Sequence, residues 1–149
     1  MHVTLDEITP GLVVRLDTAA LRTLGGSQTN AVLGPEGDRA VTGSSDFLIV
    51  GLDVATGRCT AVPLFAKTAV GNQPLESAKK SGQEDEWIGT DTFFSHWQHW
   101  RIPLAAVVAA SGDDMTASSS RRRYAATDRS ALDDIKNWEG RNRAVYRGA

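Results

Sequence analysis

The chain has 149 residues, a net charge of −2, 41% hydrophobic and 23% charged residues, the proportions of a globular protein of about one domain. Its longest apolar run, residues 103–110, is far short of the roughly 20 residues of a membrane-spanning helix, and Met1-His2-Val3-Thr4-Leu5-Asp6-Glu7 lacks the basic and apolar regions of a secretory signal. One cysteine, Cys59, excludes an internal disulfide framework and a multi-cysteine zinc site, so the expectation is a single cytoplasmic domain over 1–149 with Cys59 as a small buried hydrophobe.

Along the chain, Pro10-Gly11 introduces a strand at Leu12-Val13-Val14-Arg15-Leu16. Residues 17–43 hold Gly25-Gly26, Gly34-Pro35, Gly37 and Gly43 and read mostly as loop, apart from one short helix from Asp17, its cap, to Leu24. Phe47-Leu48-Ile49-Val50-Gly51-Leu52 and Arg58-Cys59-Thr60-Ala61-Val62-Pro63-Leu64, joined by about five residues ending in Gly57, predict a β-hairpin. Pro63 marks its second strand's end or an edge, since proline gives no ladder donor. Residues 67–86 read as a second long loop, and neither loop carries a glycine-rich phosphate motif.

Trp87-Ile88-Gly89-Thr90 reads as a short strand, and residues 101–110 as a buried strand, because Pro103 opposes a helix interior. Residues 111–120 are a loop or linker by composition. A C-terminal helix is expected over 128–140, with Ser130 and Asp133 as a capping box, Leu132, Ile135 and Trp138 at helical spacing, and Gly140 closing it. The whole is a mainly β, α+β fold: a small, strongly bent barrel or sheet with one C-terminal helix.

The net charge is unevenly spread. Residues 1–120 carry 8 basic and 14 acidic groups, a balance of −6, while residues 121–149 carry 8 and 4, a balance of +4. The basic tail, led by Arg121-Arg122-Arg123-Tyr124, fits an anionic partner as a phosphate-contacting strip, or it is a solvated segment that offsets the acidic body.

The succession Pro-Gly-x-Val-Val at 10–14, Phe-Leu-Ile-Val at 47–50 and Ala-Val-Pro-Leu-Phe-Ala-Lys at 61–67 resembles the MazF/PemK-like toxins of toxin–antitoxin systems, a family of SH3-like barrels. The resemblance covers residues 8–68 and, more loosely, 87–110. It implies an SH3-like barrel, metal-independent cleavage of single-stranded RNA, no cofactor, a homodimer, and neutralisation by a cognate antitoxin protein. The family's arginine near the start of the second strand maps near Ser45, and its Thr and Ser after the Val-Pro-Leu strand map to Phe65 and Ala66. All three positions depart from the pattern. Attack by a 2′-hydroxyl needs a base, a cation on the phosphate and an acid for the leaving oxygen. Either other residues took over these roles, or the chain binds without cutting, or it is an inactivated variant.

The residues able to take over cluster in Phe93-Phe94-Ser95-His96-Trp97-Gln98-His99-Trp100-Arg101. His96 or His99 can serve as base or acid, with Arg101 or Lys67 on the phosphate. Trp97 and Trp100 can stack on bases, or the aromatics are core and the histidines are hydrogen-bond partners. No third ligand completes a two-histidine metal site with His2 so distant. Besides Arg121, Arg122 and Arg123, Arg15 and Lys67 are the barrel's own candidate RNA contacts. The function expected is that of an RNA-binding toxin, a hydrolase acting as an endoribonuclease where catalysis is intact. The alternatives are a noncatalytic barrel that binds a protein or nucleic acid, and a phage or mobile-element accessory protein.

Overall fold

The computed structural model describes residues 2–31, 40–68, 72–82, 85–95, 98–111, 121–137 and 146–148, without the side chains of residues 85 and 147. The elements in chain order are β1 (Val13–Asp17), α1 (Thr18–Leu24), β2 (Gln28–Thr29), β3 (Ser44–Asp53), β4 (Arg58–Phe65), β5 (Asn72–Pro74), β6 (Lys80–Ser81), α2 (Asp85–Gly89), β7 (Phe93–Ser95), β8 (Trp100–Pro103), α3 (Leu104–Ala110), β9 (Arg123–Tyr124), α4 (Arg129–Lys136) and β10 (Arg147–Gly148). The fold is mainly β with helices, as expected, and its main sheet is antiparallel in every pairing described. The path β1-β3-β4-β8-β2-β10 carries β7 and β5 as a branch from β4. The outer edge of β1 is not left open: Leu12 bridges to Arg123 of the small β6–β9 sheet.

The hairpin predicted from sequence is the centre of the molecule. In β3, Phe47, Leu48, Ile49 and Val50 are all buried, which is what four consecutive strand-forming apolar residues require. Phe47 and Ile49 point into one core with Leu12, Val14, Leu16, Cys59, Ala61, Trp100 and Ile102, closed by α1 and α3. Leu48 and Val50 point into another with Val13, Val62, Trp87, Phe94, Leu132 and Ile135, covered by α4 and the branch strands. Phe47 meets Trp100 edge to face, with ring centroids 5.5 Å apart. The register of β3 on β4 slips between Ile49 and Gly51, so Val50 is an extra residue. This bulge changes the strand's phase: Leu52 returns to the core side and Gly51 turns outward beside Thr60. Gly51 has no Cβ there, and one would come within 2.7 Å of the Lys136 side chain crossing it.

Several expectations change. Pro63 does not end β4, which runs on to Phe65. It sits between the stretch of β4 paired with β8, Arg58 to Ala61, and the stretch paired with β7, Leu64 and Phe65, where no partner on that side needs its donor. Residues 101–110 are not one strand. Pro103 ends β8 and stands as the N-cap of α3, with φ −56°, where the missing N–H costs no helical bond. The alanine-rich run beyond it is a good helix former, and Leu104 N donates to Gly57 O of the hairpin turn at 2.9 Å. Trp87–Gly89 is helical in α2 rather than a strand. At the C-terminus, Asp128 is the N-cap position of α4 and Ser130 lies inside the helix, donating to Asp128 Oδ1 at 2.6 Å instead of forming a capping box. The helix spans 129–136, and there are four α-helices among the described residues where two were expected. Trp138, Gly140 and the linker residues 112–120 lie outside the described residues. The helix from Thr18 to Leu24 is present as expected, its cap Asp17 accepting from Ala19 N at 3.0 Å.

Cys59 is a core residue, and burial pushes its thiol up to about 12. Arg121, expected in a phosphate strip, is buried: its Nε donates to Glu7 Oε2 at 2.9 Å, tying the β9 segment to the N-terminal turn. The Arg121 guanidinium beside Glu7 holds this carboxyl below its ordinary value of 4.5. Ionised Glu7 therefore stabilises the fold above that value, and the contribution is lost as pH falls through the lower folded-state value. Replacing Glu7 with Gln is expected to remove the charge-assisted bond to the buried Arg121 guanidinium and lower stability by about 1–3 kcal/mol. Urea unfolding at pH 7 measures this, and the gap between the wild type and Glu7→Gln should shrink below pH 4.5.

Candidate functional site

Three sequence-distant segments meet at the end of the hairpin away from its turn. The start of β3 gives Ser44, Ser45 and Asp46, the end of β4 gives Leu64, Phe65 and Ala66, and α2 with the residues after it gives Glu86, Trp87, Thr90, Asp91 and Thr92. With Arg15 of β1 and Arg122 they line a cavity of about 500 Å³. Ser45 on β3 and Phe65 and Ala66 at the end of β4 thus share one cavity with Arg15 and Arg122.

The cavity's cationic wall is built around one carboxylate. Arg15 and Asp46 face each other across the β1–β3 ladder. Arg122 Nη2 donates to Asp46 Oδ1 at 3.0 Å, and Arg15 Nη1 lies 3.8 Å from the same oxygen. Arg122 is largely enclosed, whereas the Arg15 side chain is 59% exposed. Asp46 therefore fixes Arg122 and leaves Arg15 able to turn to an anion in the cavity. Glu86 and Asp91 are exposed carboxylates on the rim formed by α2 and the residues after it.

That rim is held by a residue not singled out from sequence. Lys80 is 8% exposed, and its Nζ donates to Trp87 O at 3.0 Å, Thr90 O at 2.6 Å and Thr92 Oγ1 at 2.9 Å. The ammonium also lies 4.4 Å from the Trp87 ring centroid. It satisfies carbonyls at the C-terminal end of a five-residue helix, which propensity alone does not stabilise. Burial lowers the affinity of Lys80 for its proton, and Asp91 acts against that shift. Trp87 Nε1 donates to Ser81 O at 3.0 Å, a second tie between α2 and β6.

The other predicted residues lie elsewhere. His99 is 1% exposed. Its backbone N donates to Asn30 Oδ1 at 2.7 Å, and its carbonyl accepts from Thr29 Oγ1 at 2.9 Å and from Asn30 N. Trp100 is fully buried, with Nε1 donating to Gln98 Oε1 at 2.8 Å. Neither lines the cavity: His99 is not placed as its acid or base, and Trp100 has no face for a base to stack on. Their segment fastens β8 to β2 and to Val41, whose N donates to Gln98 Oε1. His96 and Trp97 lie outside the described residues. Arg101 is exposed but lines a different cavity, Lys67 is exposed next to Ala66 without lining either, and Arg123 is half-buried in the β6–β9 pairing.

No protein-family model, curated protein or solved structure matches the chain. Among the described residues no three His, Cys, Asp or Glu side chains are grouped to hold a metal ion, and no helix is long and apolar enough to cross a membrane. Among the described residues the cavity's resources are two guanidiniums, the hydroxyls of Ser44, Ser45, Thr90 and Thr92, and three carboxylates. That set can clamp a singly charged phosphodiester and accept a proton beside it.

Replacing Lys80 with Met should free the α2 rim and cost about 1–3 kcal/mol from unmatched carbonyls. Amide hydrogen exchange is expected to quicken in residues 85–92 while β3 and β4 keep their protection. Unchanged exchange in that stretch would contradict a holding role for Lys80.

Proposed function

We propose that the protein binds single-stranded RNA in this cavity and cleaves it without a metal, as a toxin of the MazF/PemK type, neutralised by a cognate antitoxin and acting as a homodimer in the cytoplasm. The observation that carries the reading is the meeting of Ser45, Phe65 and Ala66, the positions matched to that family's cutting residues, with the exposed guanidinium of Arg15 in one cavity. Arg15 takes over the cationic role for which Ser45 is unsuited. It reaches the phosphate from β1, next to the strand on which the family's arginine would stand.

In the reaction the 2′-oxygen of one ribose bonds to the adjacent phosphorus and the bond to the 5′-oxygen of the next nucleotide breaks. The products end in a 2′,3′-cyclic phosphate and a 5′-hydroxyl. Arg15 neutralises the non-bridging oxygens as charge gathers on them. Glu86 or Asp91 accepts the 2′-hydroxyl proton, and water or the Ser45 hydroxyl passes one to the leaving oxygen. Phe65, half-buried at the rim, offers an apolar face beside the phosphate site. Asp46, Glu86 and Asp91 outnumber the two arginines, so the cavity holds one phosphate locally and does not attract a polyanion by its overall field.

Incubation of a labelled single-stranded RNA with the protein in EDTA is expected to give cyclic-phosphate ends. Arg15→Ala should weaken binding roughly tenfold and lower cleavage at least as much, as loss of a charge-assisted phosphate contact does. Glu86→Gln and Asp91→Asn separate the base from the clamp by lowering cleavage without lowering affinity. Binding without cleavage selects the noncatalytic alternative, and absence of both at low salt contradicts the reading.

A further inference from the structure

The geometry points to a second, separate anion site at the opposite end of the hairpin, in which Arg58, Arg101 and Lys136 bind a phosphate group. It does not rest on the RNA reading. These three cations line a cavity of about 490 Å³ with Thr60 and Asp53.

The site follows from the sheet register. Arg58 and Thr60 alternate with the buried Cys59 and therefore share the outward face of β4. Thr60 is directly opposite Arg101 of β8, whose neighbours Trp100 and Ile102 are in the core, so the Arg101 side chain leaves by the same face. The bulge at Val50 puts Gly51 opposite Thr60 on its other side, and Lys136 of α4 lies across that glycine. A Cβ at position 51 would meet Lys136 Cδ at 2.7 Å and Nζ at 3.1 Å, so a glycine here lets the ammonium lie against the strand.

Two features ready the site for an oxyanion. The Arg101 guanidinium lies over the Tyr146 ring, 3.7 Å from its centroid, which fixes the plane of the fork and leaves its N–H edge available. Among the described residues, none of the three cations has an ion pair, although Asp53 sits directly across from Arg58 in the ladder. The Asp53 carboxylate instead accepts from Thr56 N at 3.3 Å, within the hairpin turn. Three cations against one occupied carboxylate, with the Thr60 hydroxyl between them, suit a phosphate dianion or two neighbouring phosphates. The first cavity, with its surplus of carboxylates, does not.

The test is titration of the isotope-labelled chain with inorganic phosphate, inorganic pyrophosphate and a hexanucleotide RNA at constant ionic strength, read by amide and guanidinium NMR shifts. Saturable shifts are expected at Gly51, Thr60 and Arg101 Nε. Arg58→Ala and Arg101→Ala should each weaken binding roughly tenfold, Arg101→Lys should weaken it less, and Arg15→Ala should leave it unchanged. Amide spectra of the variants report whether each is folded. If RNA displaces pyrophosphate from these resonances, the bound phosphate is that of a nucleic-acid backbone. If pyrophosphate binds and RNA does not compete, the ligand is a small phosphate compound. No saturable shift with any probe up to about 10 mM, or affinity unchanged in both Arg58→Ala and Arg101→Ala, overturns the site.

Discussion

The β3–β4 hairpin has an apolar layer on each side, and the positions of both cavities depend on that. Phe47, Leu48, Ile49 and Val50 fill both cores with consecutive side chains, which leaves polar residues of the hairpin only at its two ends. Ser44, Ser45 and Asp46 open one end and Asp53, Arg58 and Thr60 the other. The bulge at Val50 sets the phase between the ends. Without it Gly51 would face inward, and Lys136 would lose the flat strand that it crosses.

The two ends differ in charge for a structural reason. At the first, Asp46 is shared by two arginines and the Lys80-held rim adds Glu86 and Asp91. At the second, Asp53, the one carboxylate among the described residues lining it, serves the turn amide of Thr56. The first arrangement combines a clamp with proton acceptors, which chemistry on a phosphodiester needs. The second is cationic and suits holding charge more than transforming it. The sequence's contrast between an acidic body and a basic tail is partly dissolved by folding, because Arg121 and Arg122 are spent on Glu7 and Asp46 of the body itself.

How much could be read from the sequence followed from how local each signal was. The hairpin was legible because its apolar run, its turn ending in Gly57 and its second strand are contiguous. The helix after β1 was legible because Asp17 caps it. The α3 helix was not, because Pro103 reads the same whether it interrupts a strand or precedes a helix, and the bond from Leu104 to Gly57 that settles the matter is long-range. The α2 helix was hidden because its five residues show no periodicity and its end is satisfied by the ammonium of Lys80. The resemblance maps Ser45, Phe65 and Ala66 to strand ends and Arg15 stood out as one of the barrel's few cations, and all four line one cavity. Asp46, Glu86 and Asp91 carried no pattern of their own, since only the return of residues 85–92 onto β4 brings them there. In the histidine segment the alternative of core aromatics and hydrogen-bonded histidines fits Trp100 and His99, both buried, because the bonds of Gln98 and His99 to Val41, Asn30 and Thr29 make this stretch an internal brace.

The proposed cleavage requires RNA to lie in the cavity between the start of β3 and the rim at residues 86–92. Photo-crosslinking with a 4-thiouridine-substituted single-stranded RNA, followed by peptide mapping, tests it most directly. Crosslinks are expected to Phe65 and to peptides containing Ser44–Asp46 or residues 86–92, removed by excess unlabelled RNA. Crosslinks confined to residues outside those two peptides and Phe65, or none at all under conditions where RNA is bound, would contradict it.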